Sequence, residues 1–164
     1  IVHRSPHLLS GYYNDPVKTA AAFSSGWFHS GDLATVDEEG HITVVDRVKD
    51  MIKTGGENVA SREVEEMVYR IPAVSEVAVV GLPDPRWIEA VTAIVVVKSG
   101  EKLDEEAVIK HCAGQMAHFK VPKRVIFVDA LPKNPSGKLL KRELRQRFVG
   151  GETLDKAVQK SFGT

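Results

Sequence analysis

Residues 49–148 are predicted to form an α+β domain in which helices pack on a small, roughly three-stranded sheet. Three observations lead to this prediction. Hydrophobic residues make up 43% and charged residues 27% of the sequence, a balance typical of globular proteins. Two valine-rich runs, VSEVAVVGL and AVTAIVVVK, are joined by the turn PDPRWIE, which indicates a buried pair of strands. Amphipathic helical segments precede and follow this pair, so helices are expected to cover the sheet.

Charge and cysteine content exclude several classes of protein. The 22 basic residues balance the 22 acidic ones, which argues against a nucleic-acid or membrane-surface protein that depends on excess positive charge. The single cysteine, Cys112, excludes an intramolecular disulfide framework and favours the reducing cytoplasm. Neither a membrane-spanning apolar run nor the features of a signal peptide are found in the sequence.

The first 48 residues are expected to be an incomplete piece of structure. Because Ile1 is not a start methionine and IVHRSP is typical of an interrupted strand, we expect the sequence to be part of a longer protein. A short strand, an Ala-rich helix within GYYNDPVKTAAAF and a hairpin over residues 33–48 follow in order. Asp37 to Gly40 form the turn of this hairpin, with Gly40 suited to a positive φ. So few strands provide little core.

The helices and strands after residue 48 are predicted from capping residues, from proline and from the spacing of apolar residues. Residues 49–60 are a glycine-containing loop, and Ser61 is the N-cap of a helix that ends before Pro72. Asp104 caps a second helix, which extends through KHCAGQMAHF, and Leu103 and Val108 form its hydrophobic staple. A third strand, KRVIFVD, leads into the loop PKNPSGK. The apolar face of the closing helix over 140–148 is formed by Leu140, Leu144 and Phe148, and residues 149–164 are a flexible tail.

The Gly137-Lys138 pair before this last helix suggests a phosphate-binding loop, but its spacing excludes a Walker A motif. That motif requires a glycine where the chain has Pro132 and a hydroxyl residue where it has Leu139. On its own, the PSGK tetrapeptide would be a turn with a surface lysine.

A second polar cluster lies in GWFHSGDLATVDEEGHITVVDRVKDMIKTGGENV, residues 26–59. Asp32 follows Ser-Gly, Arg47 ends a strand, and a glycine-rich loop comes after them. A carboxylate accepts hydrogen bonds from two hydroxyl groups, and a guanidinium donates to ribose or phosphate oxygens. The structural alternatives are a turn-forming aspartate and a salt-bridged arginine at a strand end.

FHSGDL, DRVKDMIKTGGENV and LPKNPSGKLLKREL together resemble, in order and separation, the C-terminal part of the adenylate-forming (AMP-binding) superfamily. This superfamily includes acyl-CoA synthetases, luciferases and peptide-synthetase adenylation domains, and the motifs are most similar to fatty- or medium-chain acyl-CoA synthetases. The resemblance implies that 1–48 is the end of the N-terminal adenylation domain and 49–148 the mobile C-terminal domain. It also implies an AMP-forming acid–thiol ligase, which converts a carboxylic acid to acyl-AMP and then to acyl-CoA. A fatty acid is the expected substrate.

The resemblance also implies a role for each matching residue. Asp32 binds the ribose hydroxyls of ATP, Arg47 assists at the ribose or phosphates, and Lys49 is the hinge between the two domains. Lys138 contacts the carboxylate and the α-phosphate during adenylation. A loop that approaches the phosphopantetheine during thioester formation includes Gly55, Gly56, Glu57 and Asn58.

Two further matches concern the nucleotide of CoA. Phe119 and Lys123 match positions near its adenine and phosphate, although Phe119 could instead end the apolar face of a helix. The sequence departs from its relatives at Val121, where some carry an arginine, and at Ile88, where glycine is usual between the aromatic residue and the glutamate. A local loop change is expected there.

The implied ligands are ATP, CoA, a carboxylic acid and Mg²⁺, with Mg²⁺ bound mainly by the N-terminal domain. That domain is the expected partner; no nucleic acid is expected, and oligomers through exposed strand edges stay open. No histidine has metal-ligand spacing with Cys112, so no metal site is predicted. Without the acyl pocket and phosphate loop of the N-terminal domain, residues 1–164 alone are expected to be inactive.

Two alternatives remain open. An adenylation domain that loads a carrier protein shares the same motifs. A non-catalytic interaction or nucleic-acid-binding module would use the basic face of KLLKRELRQR, which is otherwise a solvated helix surface.

Overall fold

A computed structural model describes residues 1–149, and the predicted tail beyond residue 149 lies outside the described residues. The chain divides into two compact units, Ile1–Lys49 and a second unit that begins at Asp50. This division falls one residue from the boundary predicted after residue 48. Within the described part of the chain, no helix has the length and apolar character needed to cross a membrane.

The first unit contains two small antiparallel sheets and one helix. Strand β1 (Val2–His3) pairs with β2 (Phe28–His29), and β3 (Asp32–Val36) pairs with β4 (Ile42–Arg47) around the predicted turn. Helix α1 (Pro16–Ala22) begins with the Asp15 carboxylate accepting a hydrogen bond from the amide of Lys18. The predicted short strand, helix and hairpin are therefore confirmed.

The first unit has no core of its own. All buried apolar side chains of residues 1–149 lie beyond residue 51. Along the hairpin, Val36, Ile42 and Val44 are 65%, 62% and 46% exposed. Apolar side chains left in water contribute little to folding, which agrees with the small core expected for residues 1–48.

Over residues 50–149, the second unit is a five-stranded sheet with three helices. Its strands are β5 (Ile52–Thr54), β6 (Glu57–Val59), β7 (Val74–Asp84), β8 (Ile88–Val97) and β9 (Arg124–Phe127). They follow the order β6-β5-β8-β7, and β9 pairs in parallel with β8. The three predicted strands are present, and the α+β fold is confirmed.

The prediction of a loop over residues 49–60 is wrong, because β5 and β6 form a hairpin in this segment. Thr54 pairs with Glu57 around Gly55 and Gly56, whose φ angles are 58° and 87°. Two consecutive positive φ angles define the tight turn that matches the twist of a hairpin. Thr54 also pairs with Ile88, and this pairing adds two short strands to the roughly three that were predicted.

The helices begin and end near the predicted positions, with two corrections. Helix α2 (Ser61–Tyr69) includes Ser61, and Ala60 is its N-cap, so the predicted Ser61 cap is wrong. Helix α3 (Glu105–Ala113) is capped by Asp104 as predicted, with its carboxylate 2.8 Å from the amide of Ala107. This helix ends well before the predicted Phe119, since the chain forms turns around Gly114 and again at 118–120.

Two core clusters lie on opposite faces of the sheet. Along β8, Val91, Ala93 and Val95 belong to the first cluster, whereas Ile94 belongs to the second. This alternation follows from the two-residue period of a strand. Apolar residues of α2 and α3 complete the first cluster, and helix α4 (Lys141–Phe148) completes the second with Leu144 and Phe148. Leu140, predicted as a third core residue of this helix, is only half-buried at its N-cap.

Ile88 has a strained backbone at the start of β8. Its φ is 70°, and its side chain is 67% exposed. Left-handed backbone costs an L-residue roughly 1–2 kcal/mol, and more for a β-branched side chain. The sequence departure noted at this position is thus a β-branched residue in a conformation that favours glycine.

Replacing Ile88 with glycine is expected to increase stability. Glycine removes the steric cost of positive φ, whereas alanine retains most of it, so Ile88→Gly should exceed Ile88→Ala by about 1 kcal/mol in free energy of unfolding. Urea denaturation of both variants measures this difference. Equal stability of the two variants would show that residue 88 carries no backbone strain.

Cys112 gives the stability of the protein a dependence on alkaline pH. Its thiol is fully buried in the first core cluster, and burial raises its pKa from an ordinary 9.0 to about 11. The unfolded chain ionises this thiol at lower pH than the folded protein does. The contribution of the buried neutral thiol to stability is fully present below the pKa of the unfolded chain. It is lost as pH rises towards the pKa of the folded protein.

Wild-type protein is accordingly expected to lose more stability than a Cys112→Ala variant between about pH 9 and pH 11. Urea midpoints of both proteins at several pH values across this window measure the difference in slope. Parallel pH profiles would mean that the thiol ionises equally in the folded and unfolded states.

Candidate functional site

Asp32 and Arg47 form an ion pair across the hairpin of the first unit. They are directly opposed in the register of β3 and β4, and Asp32 Oδ1 lies 3.3 Å from Arg47 Nε. This contact is an ion pair without hydrogen-bond alignment, since Nε has no aligned acceptor among the described residues. The guanidinium also donates from Nη2 to the carbonyl of Ser30 at 3.3 Å. The residue pattern left open whether Asp32 and Arg47 bind a ligand or only support the fold. The structure brings the two side chains together.

Both groups of this pair remain accessible. The Asp32 side chain is 34% exposed and that of Arg47 is 40% exposed. Gly31, with a φ of 76°, turns the chain directly beside the guanidinium. A carboxylate and a guanidinium held side by side present an acceptor and a donor to a polyol or an anion.

Lys49 lies in a short 3₁₀ helix, Val48–Asp50, where the chain passes from the first unit to the second. Its side chain is exposed, whereas the next residue, Asp50, is buried. The position is compatible with the predicted hinge, and the hinge role stays a prediction.

The glycine turn of the second unit is held against Trp87. The amide of Gly55 donates to the carbonyl of Trp87 at 2.8 Å. A Cβ on Gly55 would lie 3.1 Å from the indole ring, so only glycine fits without displacing the tryptophan. Glu57 and Asn58 are exposed on β6, directly after the turn.

Trp87 is also the centre of a cationic cluster. The guanidinium of Arg86 lies 4.9 Å and the ammonium of Lys123 5.0 Å from the indole ring. Lys123 donates a hydrogen bond to the carbonyl of His118 at 3.0 Å. Burial and, secondarily, the charge of Arg86 lower the pKa of the Lys123 ammonium. An aromatic surface with two cations beside a backbone turn suits a ligand that combines a ring with phosphates.

Phe119 occupies a different environment from that of Lys123. It is half-buried in the turn after α3 and packs against the first core cluster. The alternative that Phe119 ends the apolar face of a helix is wrong in that form, because α3 ends at Ala113, but Phe119 does contact the apolar core. Trp87, which the sequence analysis did not assign to the site, is instead the aromatic neighbour of Lys123. A tryptophan beside an arginine in a short turn between two apolar strands was the signal available in the sequence.

The Lys138 loop is organised by Asn134. The Asn134 side-chain oxygen accepts hydrogen bonds from the amides of Ser136 and Lys138, at 3.1 and 2.8 Å. The amide of Asn134 donates to the carbonyl of Lys138 at 2.9 Å, and Gly137 adopts a φ of 81°. These bonds close the loop on itself, so Lys138 extends from a preformed turn.

The Lys138 ammonium has no ion-pair partner within residues 1–149, and its residue is exposed. Neighbouring lysines differ in this respect. Lys133 contacts Glu76, and Lys141 contacts Glu65, each at 2.7 Å. A lysine without an internal counter-ion is available to contact an anionic ligand.

The part of the chain that the structure describes contains no group of three or more His, Cys, Asp and Glu residues arranged to hold a metal ion.

Comparison with known proteins identifies the family. The model of the AMP-binding enzyme C-terminal domain matches residues 63–138. The long-chain-fatty-acid–CoA ligase FadD13 of Mycobacterium tuberculosis is 46% identical over 148 residues, which cover 90% of this chain and 29% of the ligase. Feruloyl-CoA synthase of an Amycolatopsis species is 48% identical, with coverage of 90% and 30%. The chain thus spans about three tenths of the length of these relatives.

Solved structures agree with this assignment. ATP-bound MatB from Rhodopseudomonas palustris superimposes with a TM-score of 0.82 at 41% identity, covering 90% of this chain and 29% of MatB. The chain therefore belongs to the AMP-binding, adenylate-forming enzyme family and contains its C-terminal domain.

Proposed function

We propose that the intact protein containing this chain is an ATP-dependent acyl-CoA synthetase that forms an acyl-adenylate and transfers the acyl group to CoA. One observation carries the proposal: a single unit bears both an unpaired lysine on a preformed loop and a glycine turn beside an aromatic–cation cluster. The first suits a reaction between anions, and the second suits the passage of a thiol cofactor.

In the adenylation step, Lys138 would hold the carboxylate and the α-phosphate together. Both reactants are anionic, so a cation between them reduces their repulsion and stabilises the charge that develops on the bridging oxygens. In the first unit, Asp32 would accept hydrogen bonds from the ribose hydroxyls, and Arg47 would donate to ribose or phosphate oxygens. MatB, which is similar over this region, was solved with ATP bound. Mg²⁺ would be held by residues outside this chain.

In the thioester step, the turn at Gly55 and Gly56 would lie along the phosphopantetheine arm. Its lack of side chains permits close backbone approach. Lys123 and Arg86 would bind phosphate, and Trp87 would stack against an apolar or ring portion of CoA. Movement of the second unit about Lys49 would exchange Lys138 for this turn between the two steps.

A fatty acid is proposed as the substrate class, on the strength of FadD13 and of motifs typical of fatty acyl-CoA synthetases. Feruloyl-CoA synthase, which is equally similar, carries the name of an aromatic acid. A carrier-protein acceptor is the second candidate, but the names of both relatives contain CoA, which favours CoA. The nucleic-acid alternative has only the basic face of α4 in its favour. A cytoplasmic location stays a prediction.

Substitution of Lys138 tests the proposed adenylation step. In the intact protein, Lys138→Ala should reduce ATP–pyrophosphate exchange on the order of 10²–10³-fold, because a preorganised charge is lost from the transition state. Thioester formation from supplied acyl-adenylate should remain at the wild-type rate, since that step does not use this lysine.

Lys102→Ala, which removes another exposed lysine of the second unit, is the matched control and should leave both steps unchanged. The 164-residue chain alone is the blank, with no pyrophosphate release expected. Equal loss of both half-reactions in Lys138→Ala would remove the assigned role.

Substitution of Gly55 tests the proposed thioester step. Gly55→Ala places a methyl group against the Trp87 ring at a positive φ, so it should slow transfer of the acyl group to CoA and spare adenylation. Gly100→Ala is the control, because Gly100 has a φ of 83° with no atom within 4 Å of an added Cβ. The proposal predicts a selective defect in Gly55→Ala; similar rates of CoA transfer in the two variants would contradict it.

A further inference from the structure

Helix α4, which follows the Lys138 loop, is tied to two other elements of the second unit by charged side chains one turn apart. Lys141 Nζ lies 2.7 Å from Glu65 Oε1 on α2, and these side chains are only 15% and 20% exposed. Arg145 Nη2 lies 2.9 Å from Asp50 Oδ1, with side-chain exposures of 27% and 10%. Residues four apart lie on the same face of a helix, so one face of α4 makes both links.

Each link ends at a well-fixed point of the fold. The ammonium of Lys141 also donates to the hydroxyl of Ser61, at the first turn of α2, at 2.7 Å. Glu65 Oε1 accepts a hydrogen bond from the amide of Val79 in β7 at 2.7 Å. Asp50 is the first residue of the second unit, directly after Lys49. The two links therefore join α4 to the start of α2, to the sheet and to the residue beside the proposed hinge.

Apolar contacts alone do not define the position of α4. Leu144 and Phe148 are buried in the second core cluster and hold the helix against the sheet. Hydrophobic burial is non-directional, so it opposes separation of the helix from the sheet more than sliding along it. Charge-assisted hydrogen bonds require a defined distance and angle, and burial reduces their screening by salt. The links therefore add directional contacts to the apolar ones that hold α4 against the sheet.

The start of α4 in turn determines the position of the Lys138 loop. Lys133 and Leu139 form a β-bridge, and the amide of Leu140 donates to the carbonyl of Pro132 at 2.9 Å. Because the loop is closed by these contacts, displacement of the helix start displaces the loop with it.

We propose that Lys141 and Arg145 are positioning residues that fix the Lys138 loop relative to Asp50 and α2. The proposal rests on the role of Lys138 in adenylation given above. It assigns a role in the reaction to part of the basic segment KLLKRELR, which on sequence alone is a solvated helix face. Positive charge at these two positions serves contacts within the protein.

The decisive variant is Asp50→Asn combined with Arg145→Met in the intact protein. Removing both charges avoids an unpaired buried ion, which would by itself destabilise the fold. The ratio of ATP–pyrophosphate exchange to thioester formation from supplied acyl-adenylate is expected to fall about tenfold or more, because small misplacement of a reacting group costs up to ~10²-fold in rate. A smaller change in this ratio overturns the proposal.

Two further variants distinguish positioning from general support of the fold. Arg62→Met breaks the exposed Arg62–Glu66 pair, with side chains 58% and 60% exposed, and should leave the ratio unchanged. Arg145→Lys keeps the cation and should retain more of the ratio than Asp50→Asn/Arg145→Met does; an equal loss in the two variants overturns the proposal. If the double variant fails to fold, Arg145→Lys, which loses the planar donor geometry of the guanidinium, is compared with wild type and should show a lower ratio; a ratio equal to that of wild type overturns the proposal.

Amide hydrogen exchange supplies a readout independent of activity. In Asp50→Asn/Arg145→Met, the protected amides of Lys138 and Leu140 should exchange faster than in wild type, while amides of β7 and β8 keep their rates. Unchanged exchange in the loop overturns the positioning role. If the proposed function is wrong, the wild-type protein lacks both half-reactions, but the double variant still exchanges its loop amides faster than wild type does. The two failures are therefore distinguishable.

Discussion

The organisation of the second unit depends on β8, which is hydrogen-bonded along both edges and covered on both faces. Its pairing with β7 extends from Val74↔Val97 to Asp84↔Ile88, and β9 pairs with its other edge. The candidate site segments of this unit are all attached to this strand. The glycine turn pairs at Ile88, the amide of Lys123 donates to the carbonyl of Val91 at 2.7 Å, and β9 leads into the Lys138 loop. Because β8 is fixed in this way, it holds two chemically different segments, the glycine turn and the Lys138 loop, within one unit.

The lysine side chains of this unit differ in their partners. Lys141 and Lys133 contact carboxylates within the fold, and Lys123 lies against an indole ring, whereas Lys138 is without an ionic partner in residues 1–149. In the proposals above, Lys141 positions a segment of the chain, and Lys138 is available to an anionic substrate.

Sequence patterns predicted most of the fold because its core follows regular periods. The valine-rich strands, the face of α2 and the Asp104 cap depend on local chemistry and were found. The β5–β6 hairpin was missed because three-residue strands carry too little pattern, and only pairing with Ile88 makes them part of the sheet. The Lys138 loop and the Asp32 and Arg47 positions came from motifs. Trp87 and Arg145 were not predicted as candidate site residues, since their proposed roles depend on the distant neighbours Lys123 and Asp50.

In the proposed reaction cycle, the second unit moves about Lys49 to present Lys138 for one half-reaction and the glycine turn for the other. Spin labels on Glu38→Cys in the first unit and Lys102→Cys in the second, with buried Cys112 left unmodified, would report the distance between the units in the intact protein. Double electron–electron resonance is expected to show one distance distribution with ATP and a carboxylic acid. A second distribution is expected when CoA is added to the acyl-adenylate state. A single distribution that CoA leaves unchanged would exclude this movement between the two half-reactions.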